Sequence, residues 1–133
     1  MKDIDELSIP DDLRYAKDHE WVSAAAPYRV GISDFAQDQL GDLTYVELPE
    51  SGAEVKMGDE FGSLESIKSV STLFIPLDAK IIAVNEALQD DPGLVNRDPY
   101  GEGWLVEIEP LDPSQFGALM DGATYKSHLE QNG

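Results

Sequence analysis

A mostly-β barrel or sandwich with short helices at its edges is the fold class predicted for this chain. Short apolar runs at close spacing, Gly and Pro turn signals between them, and a composition able to fill a core all point to it. The 133 residues suit one domain; 41% are hydrophobic, and five Tyr, four Phe and two Trp are spread along the chain.

Residues 1–12 hold Asp3, Asp5, Glu6, Asp11 and Asp12 around Pro10 and read as a mobile acidic lead-in, leaving 13–133 as the domain. Tyr28 to Ile32 reads as a strand with Val30 and Ile32 on one face. Ser33 or Asp34 can cap a helix from Phe35 to Leu40 that Gly41 ends. Leu43 to Leu48 is β-branched and aromatic, and Pro49 stops it. After turn chemistry at Glu50-Ser51-Gly52 and Met57-Gly58-Asp59, strands Glu60 to Ser66 and Val70 to Ile75 flank the short turn Ser66-Ile67-Lys68-Ser69. Ala79 to Val84 follows the Pro76-Leu77-Asp78 break. Asp91-Pro92-Gly93 then opens a loop or single helical turn through Asn96. Trp104 to Glu109 alternates as a further strand, and Asp112-Pro113-Ser114 starts a short helix with Pro in its first turn. A last helix spans Ala123 to Gln131, with Tyr125 and Leu129 on one face.

Charge narrows the function. Nine Lys and Arg against 27 Asp and Glu leave a formal net charge of −18. Phosphate backbones and anionic lipid both demand cations, so neither nucleic acid nor a membrane surface is an expected partner. The acidity suits general solubility or steering towards basic partner faces. Zero Cys excludes disulfides, thiolate metal sites and Cys nucleophiles, and two His make a zinc site improbable. No uncharged stretch approaches the roughly 20 residues of a membrane span, and the acidic start lacks the features of a signal or transit peptide. The expectation is a soluble cytoplasmic protein.

Catalytic templates fail in turn. Gly62-Ser63-Leu64-Glu65-Ser66 is only superficially a nucleophile elbow. His19-Glu20-Trp21 lacks the second His of a metalloprotease helix, and Gly101-Glu102-Gly103 precedes a strand rather than a helix. Among 27 acidic residues a carboxylate pair arises by chance. The residues favour a non-enzyme. Lys68, at the tip of the hairpin between two apolar strands, is the feature that folding alone does not require.

Gly62-Ser63-Leu64-Glu65-Ser66-Ile67-Lys68-Ser69 resembles the lipoylation hairpin of the glycine cleavage system H-protein family. Further blocks match in order: Tyr15 to Trp21, Gly31 to Asp42, Val46-Glu47-Leu48-Pro49, Gly58 to Gly62, Pro92 to Asn96 and Gly101 to Leu105. Together they span roughly residues 13 to 130. The family usually has Val before the Lys and Ala after it, so Ile67 and Ser69 are mild departures. Biotin carriers flank their Lys with Met; Lys68 has neither, and Lys56-Met57 is a decoy in a turn.

The resemblance implies a barrel-sandwich hybrid in which two small sheets are related by approximate two-fold symmetry, with short flanking helices including a C-terminal one. It implies lipoic acid in amide linkage on Lys68, attached by a lipoyl ligase or an octanoyltransferase, with Gly62, Glu65, Ser66, Ile67 and Ser69 as the surrounding recognition motif. The implied role is a carrier visiting glycine decarboxylase (P protein), the tetrahydrofolate-dependent aminomethyltransferase (T protein) and dihydrolipoamide dehydrogenase (L protein). A monomer suits such visits. A loaded arm would fold into a cleft lined from His19, Glu20 and Trp21, with Glu20 as counter-ion to the amine and Trp21 as an apolar wall. Where relatives can place a Ser before that His and an Asp early in the strand after the lysine, this chain has Asp18 and Thr72. The alternatives are an H-like protein relaying lipoyl groups to other complexes, or a non-carrier regulatory paralogue.

Overall fold

Alternation along the short apolar runs decides which face of each strand becomes core, and two sheets result. The computed structural model describes residues 3–132, the last by its backbone alone; residues 1 and 2 of the expected lead-in and 133 of the expected domain lie outside the described residues. The strands are β1 (Leu13–Tyr15), β2 (Glu20–Ser23), β3 (Tyr28–Ile32), β4 (Leu43–Glu47), β5 (Glu54–Val55), β6 (Glu60–Ser66), β7 (Val70–Phe74), β8 (Ala79–Val84) and β9 (Val106–Pro110). The α-helices are α1 (Asp34–Leu40), α2 (Ala87–Asp90), α3 (Leu94–Arg97) and α4 (Gly122–Asn132). A six-stranded antiparallel sheet runs β1-β2-β3-β9-β8-β5, and a three-stranded one runs β4-β6-β7.

The main core lies between the sheets, where Val30, Val46, Leu64, Leu73, Ile81 and Ile108 are buried. Each such side chain contributes roughly 1.5–3 kcal/mol through burial. A second cluster of Leu13, Tyr15, Trp21, Tyr125 and Leu129 seats α4 against β1 and β2. The i, i+4 pair Tyr125 and Leu129 therefore faces inward as its spacing predicts. Ser33 caps α1 by accepting from Ala36 N–H, and Gly41 ends that helix at φ 77°. Among the described residues no helix is long and apolar enough to cross a membrane.

Residues 3–12, the expected lead-in, make contacts with the domain. A 3₁₀ turn at Ile4–Glu6 is followed by a segment whose Ile4, Leu7 and Ile9 pack on the second cluster. Ser8 N–H donates to Asp34 Oδ2, the Tyr100 hydroxyl donates to Ser8 C=O, and the Tyr15 hydroxyl donates to Pro10 C=O. The apolar residues spaced between the acidic ones anchor the segment. The last strand begins at Val106 rather than Trp104, and the helix expected after Asp112 is a 3₁₀ turn over Pro113–Ala118.

Candidate functional site

The hairpin β6–β7 puts Lys68 at its tip. Glu65 pairs with Val70, and the turn between them closes through Ser66 N–H donating to Ser69 C=O at 2.8 Å. The Ser66 hydroxyl oxygen accepts from Ser69 N–H at 3.1 Å and from Lys68 N–H at 3.3 Å. These bonds hold the root of Lys68 while its side chain stays exposed. Ile67, 82% exposed, points away from any core. Below the tip, Gly62 meets β4 so closely that a Cβ there would overlap the Glu47 carbonyl oxygen. Backbone cannot swing aside as a side chain could, so Gly62→Ala is expected to destabilise by roughly 1–3 kcal/mol, read as a lowered urea midpoint.

Lys68 leans over the C-terminal end of α1, its Cε 3.6 Å from the point where a Cβ on Gly41 would stand. Asn96 fixes that platform: its side-chain amide donates to Gly41 C=O, and its Oδ1 accepts from Leu43 N–H. Next to it, Leu40 and Gln39 begin a cleft of about 290 Å³ that also takes in Phe35, Leu64, Ser71, Leu73 and the side of β2 carrying Glu20.

Glu20 is the chemical feature of this cleft. It pairs across the sheet with Ile32, is 2% exposed, and lines the cavity. Oε2 accepts a long 3.4 Å bond from Phe74 N–H, while Oε1 is buried without a partner. Burial pushes its pKa up to about 8; the Phe74 N–H works the other way, and the Asp18 charge adds to the rise. An uncharged carboxyl thus waits in a cleft of mixed apolar and polar lining, and an incoming cation would supply the partner it lacks.

His19 lines the same cleft. Its backbone is left-handed at φ 75°, uncommon outside glycine though tolerated by His. The ring lies 4.8 Å from Phe35 and 6.2 Å from His128 between centroids, and Nδ1 is 2.8 Å from the Tyr125 hydroxyl. Burial first, then His128, lowers its pKa, against the opposing pull of Asp18.

Trp21 is not a wall of the cleft. It pairs with Gly31, one residue out of phase with the Glu20–Ile32 pair, so it projects from the opposite face of the sheet. A Cβ on Gly31 would stand 2.7 Å from the indole, whose N–H donates to Ile32 C=O and Pro99 C=O. Its role is packing in the second cluster. Thr72 likewise faces out, paired with Ser63, whereas Ser71 beside it lines the cleft. The residue reading did not place Phe35, Leu64, Ser71 or Leu73 there, and it missed the contact of Tyr125 with His19.

Comparison with known proteins gives one consistent result. The family model described as Glycine cleavage H-protein matches residues 13–132. A glycine cleavage system H protein of Anaeromyxobacter sp. (strain K) is 52% identical over 126 residues, covering 94% of this chain and 98% of that protein. One from Listeria monocytogenes serotype 4b is 46% identical over 125 residues, covering 93% and 100%. Among solved structures, a glycine cleavage system H protein from Mycobacterium marinum superimposes with a TM-score of 0.82 at 41% identity, covering 94% of this chain and 99% of that one.

Proposed function

The chain belongs to the glycine cleavage H-protein family, and on that premise we propose that Lys68 is the residue through which it carries lipoic acid. Membership makes it a carrier component of the glycine cleavage system rather than an enzyme, and it makes the other components its partners. The observation that supports the lysine is positional: an exposed amine on a rigid hairpin leans towards a cleft whose far end holds a buried, half-unpartnered carboxyl.

The residues present fit a lipoyl arm. Leu40, Phe35, Leu64 and Leu73 offer apolar contact to its hydrocarbon and sulfur, and Glu20 offers an acceptor at depth. When attached, the dithiolane supplies the sulfur that takes up the aminomethyl group and, once reduced, the dithiol to be reoxidised. The chain has no Cys, so it supplies no thiol that could compete in that exchange.

The chain's own groups do the rest. Ser66 and its turn fix where the arm begins, and Glu65, Ile67 and Ser69 present a polar-edged, exposed surface around it for the lipoyl ligase or octanoyltransferase. Glu20 passes its proton to the incoming primary amine, so that the carboxylate and the ammonium pair in the cleft, and His19 forms part of the wall. Released from the cleft, the arm serves glycine decarboxylase, the aminomethyltransferase and dihydrolipoamide dehydrogenase in turn. The tether raises its effective concentration at each site, while weak docking allows turnover. The carrier acts as a monomer in the cytoplasm.

Intact-mass measurement on protein from a lipoylation-competent host, followed by peptide mapping, tests the assignment. The expected result is one lipoyl increment on Lys68. No increment, or one on Lys56 or Lys80, would overturn it.

A further inference from the structure

The cleft is tied to the C-terminal helix by hydrogen bonds whose direction can be worked out. Ser33, at the start of α1, is fully buried, and its hydroxyl oxygen accepts from Ala36 N–H at 3.2 Å. Among the described residues its remaining contact is the Tyr125 hydroxyl on α4, 2.7 Å away. Tyr125 in turn reaches His19 Nδ1 at 2.8 Å. Burial raises the Tyr125 pKa, so this phenol keeps a proton to give.

Two directions are available to the chain. If His19 Nδ1–H donated to Tyr125, the phenol would donate to Ser33, and the Ser33 proton would be buried without an acceptor. In the opposite direction Ser33 donates to Tyr125, Tyr125 donates to His19 Nδ1, and every buried proton is used. Only the second leaves nothing unsatisfied. It makes Nδ1 an acceptor and puts the ring proton of neutral His19 on Nε2.

From this juxtaposition we infer that Tyr125 is a positioning residue of the cleft, fixing His19 as the neutral Nε2–H tautomer. The consequence rests on the cleft reading above. Protonating His19 would place a second hydrogen on Nδ1, reverse the chain and orphan the Ser33 hydroxyl. An imidazolium on the wall would also compete with an incoming ammonium for Glu20. The Tyr125 hydroxyl thus keeps the His19 ring uncharged when the cation arrives. Of the titratable groups facing the ring, His128 from α4 works in the same direction, and Asp18 beside it works in the other. Phe35 of α1 packs on the ring and carries no charge.

Tyr125→Phe removes the hydroxyl and keeps the ring stacked on Tyr15, 4.5 Å between centroids and 2° from parallel. Long-range ¹H–¹⁵N NMR on the full, unmodified chain near neutral pH should show His19 as the Nε2–H tautomer. In the variant it should become a mixture with its titration midpoint raised by roughly half to one pH unit. Ser33→Ala should mix the tautomers as well, and Ser33→Thr should restore the pattern; this pair covers the case in which Tyr125→Phe fails to fold. In the loaded carrier, water that reaches the S–CH2–NH2 group hydrolyses it to the free thiol, formaldehyde and ammonia, and this release from Tyr125→Phe should outpace wild type increasingly as the pH falls through about 7 to 6, the ordinary His range. A wild-type Nδ1–H tautomer, or a His19 midpoint unmoved in the variants, would overturn the proposal and leave Lys68 as the attachment site untouched. A chain without lipoyl on Lys68 but with the expected tautomer would overturn the carrier reading instead.

Discussion

Lys68→Arg should carry no lipoyl group and should support no glycine cleavage, with its folding stability within about 0.5 kcal/mol of wild type. Acyl transfer needs a nitrogen that can lose a proton and attack. A Lys ammonium can, whereas a guanidinium with a pKa above about 12 does not. Charge and much of the length are retained, so the substitution removes chemistry and little else. Stability should be spared because the side chain is exposed and its turn is closed by Ser66 and Ser69. Intact mass, a reconstituted assay with the partner enzymes, and a thermal melt provide the three readouts. Residual activity, or a lipoyl increment remaining on the variant, would transfer the role to another lysine and sink the assignment.

The hairpin was legible because everything that makes it is local. Val70 to Phe74 carries its own β-propensity, the Ser-x-Lys-Ser turn before it contains the hydroxyls that close it, and Glu60 to Ser66, poorer in such residues, pairs with it across that short turn. The helix around Tyr125 was legible for the same reason, through its i, i+4 pair. Other elements gave no local signal. β1 and β5 are too short to show alternation, and β2 buries Glu20, Trp21 and Val22 in succession because both faces of that strand are covered. The resemblance named Trp21 together with Glu20, and only the pairing of the strand against Gly31 and Ile32 sets the two side chains on opposite faces. The cleft assembles Phe35, Leu64 and Ser71 from separate elements, and the Tyr125–His19 contact spans 106 residues of sequence. Such proximity follows from tertiary packing, which no local pattern encodes. Resemblance brought in Glu20; its missing partner and raised pKa are products of burial.

Glu20→Gln should uncouple two things that one carboxyl now links, the stability of the empty carrier and the retention of its cargo. In wild type Glu20 titrates near 8 in the fold against about 4.5 when unfolded. Across that interval the native state keeps a proton that the unfolded chain has released, so stability falls as pH rises. The full loss is reached above pH 8 and is on the order of 3–5 kcal/mol. Glutamine has no such proton. Its carbonyl can still accept from Phe74 N–H, so the variant should match wild type near pH 4.5 and exceed it progressively towards pH 8, as read by urea midpoints at several pH values. Cargo retention should move the other way. An ammonium in the cleft favours ionised Glu20 and forms a charge-assisted bond there that a neutral amide cannot replace. At about 1.5–3 kcal/mol for such a bond, formaldehyde should leave the loaded variant roughly ten- to a hundred-fold faster. Lipoylation, which engages the hairpin tip, should be unaffected and so serves as the internal control. A variant that kept its cargo as long as wild type would show that Glu20 does not pair with the amine. A variant whose stability tracked wild type across pH 5 to 8 would show that the carboxyl is not held neutral by the fold. Either result would break the link between burial and cargo on which this reading of the cleft depends.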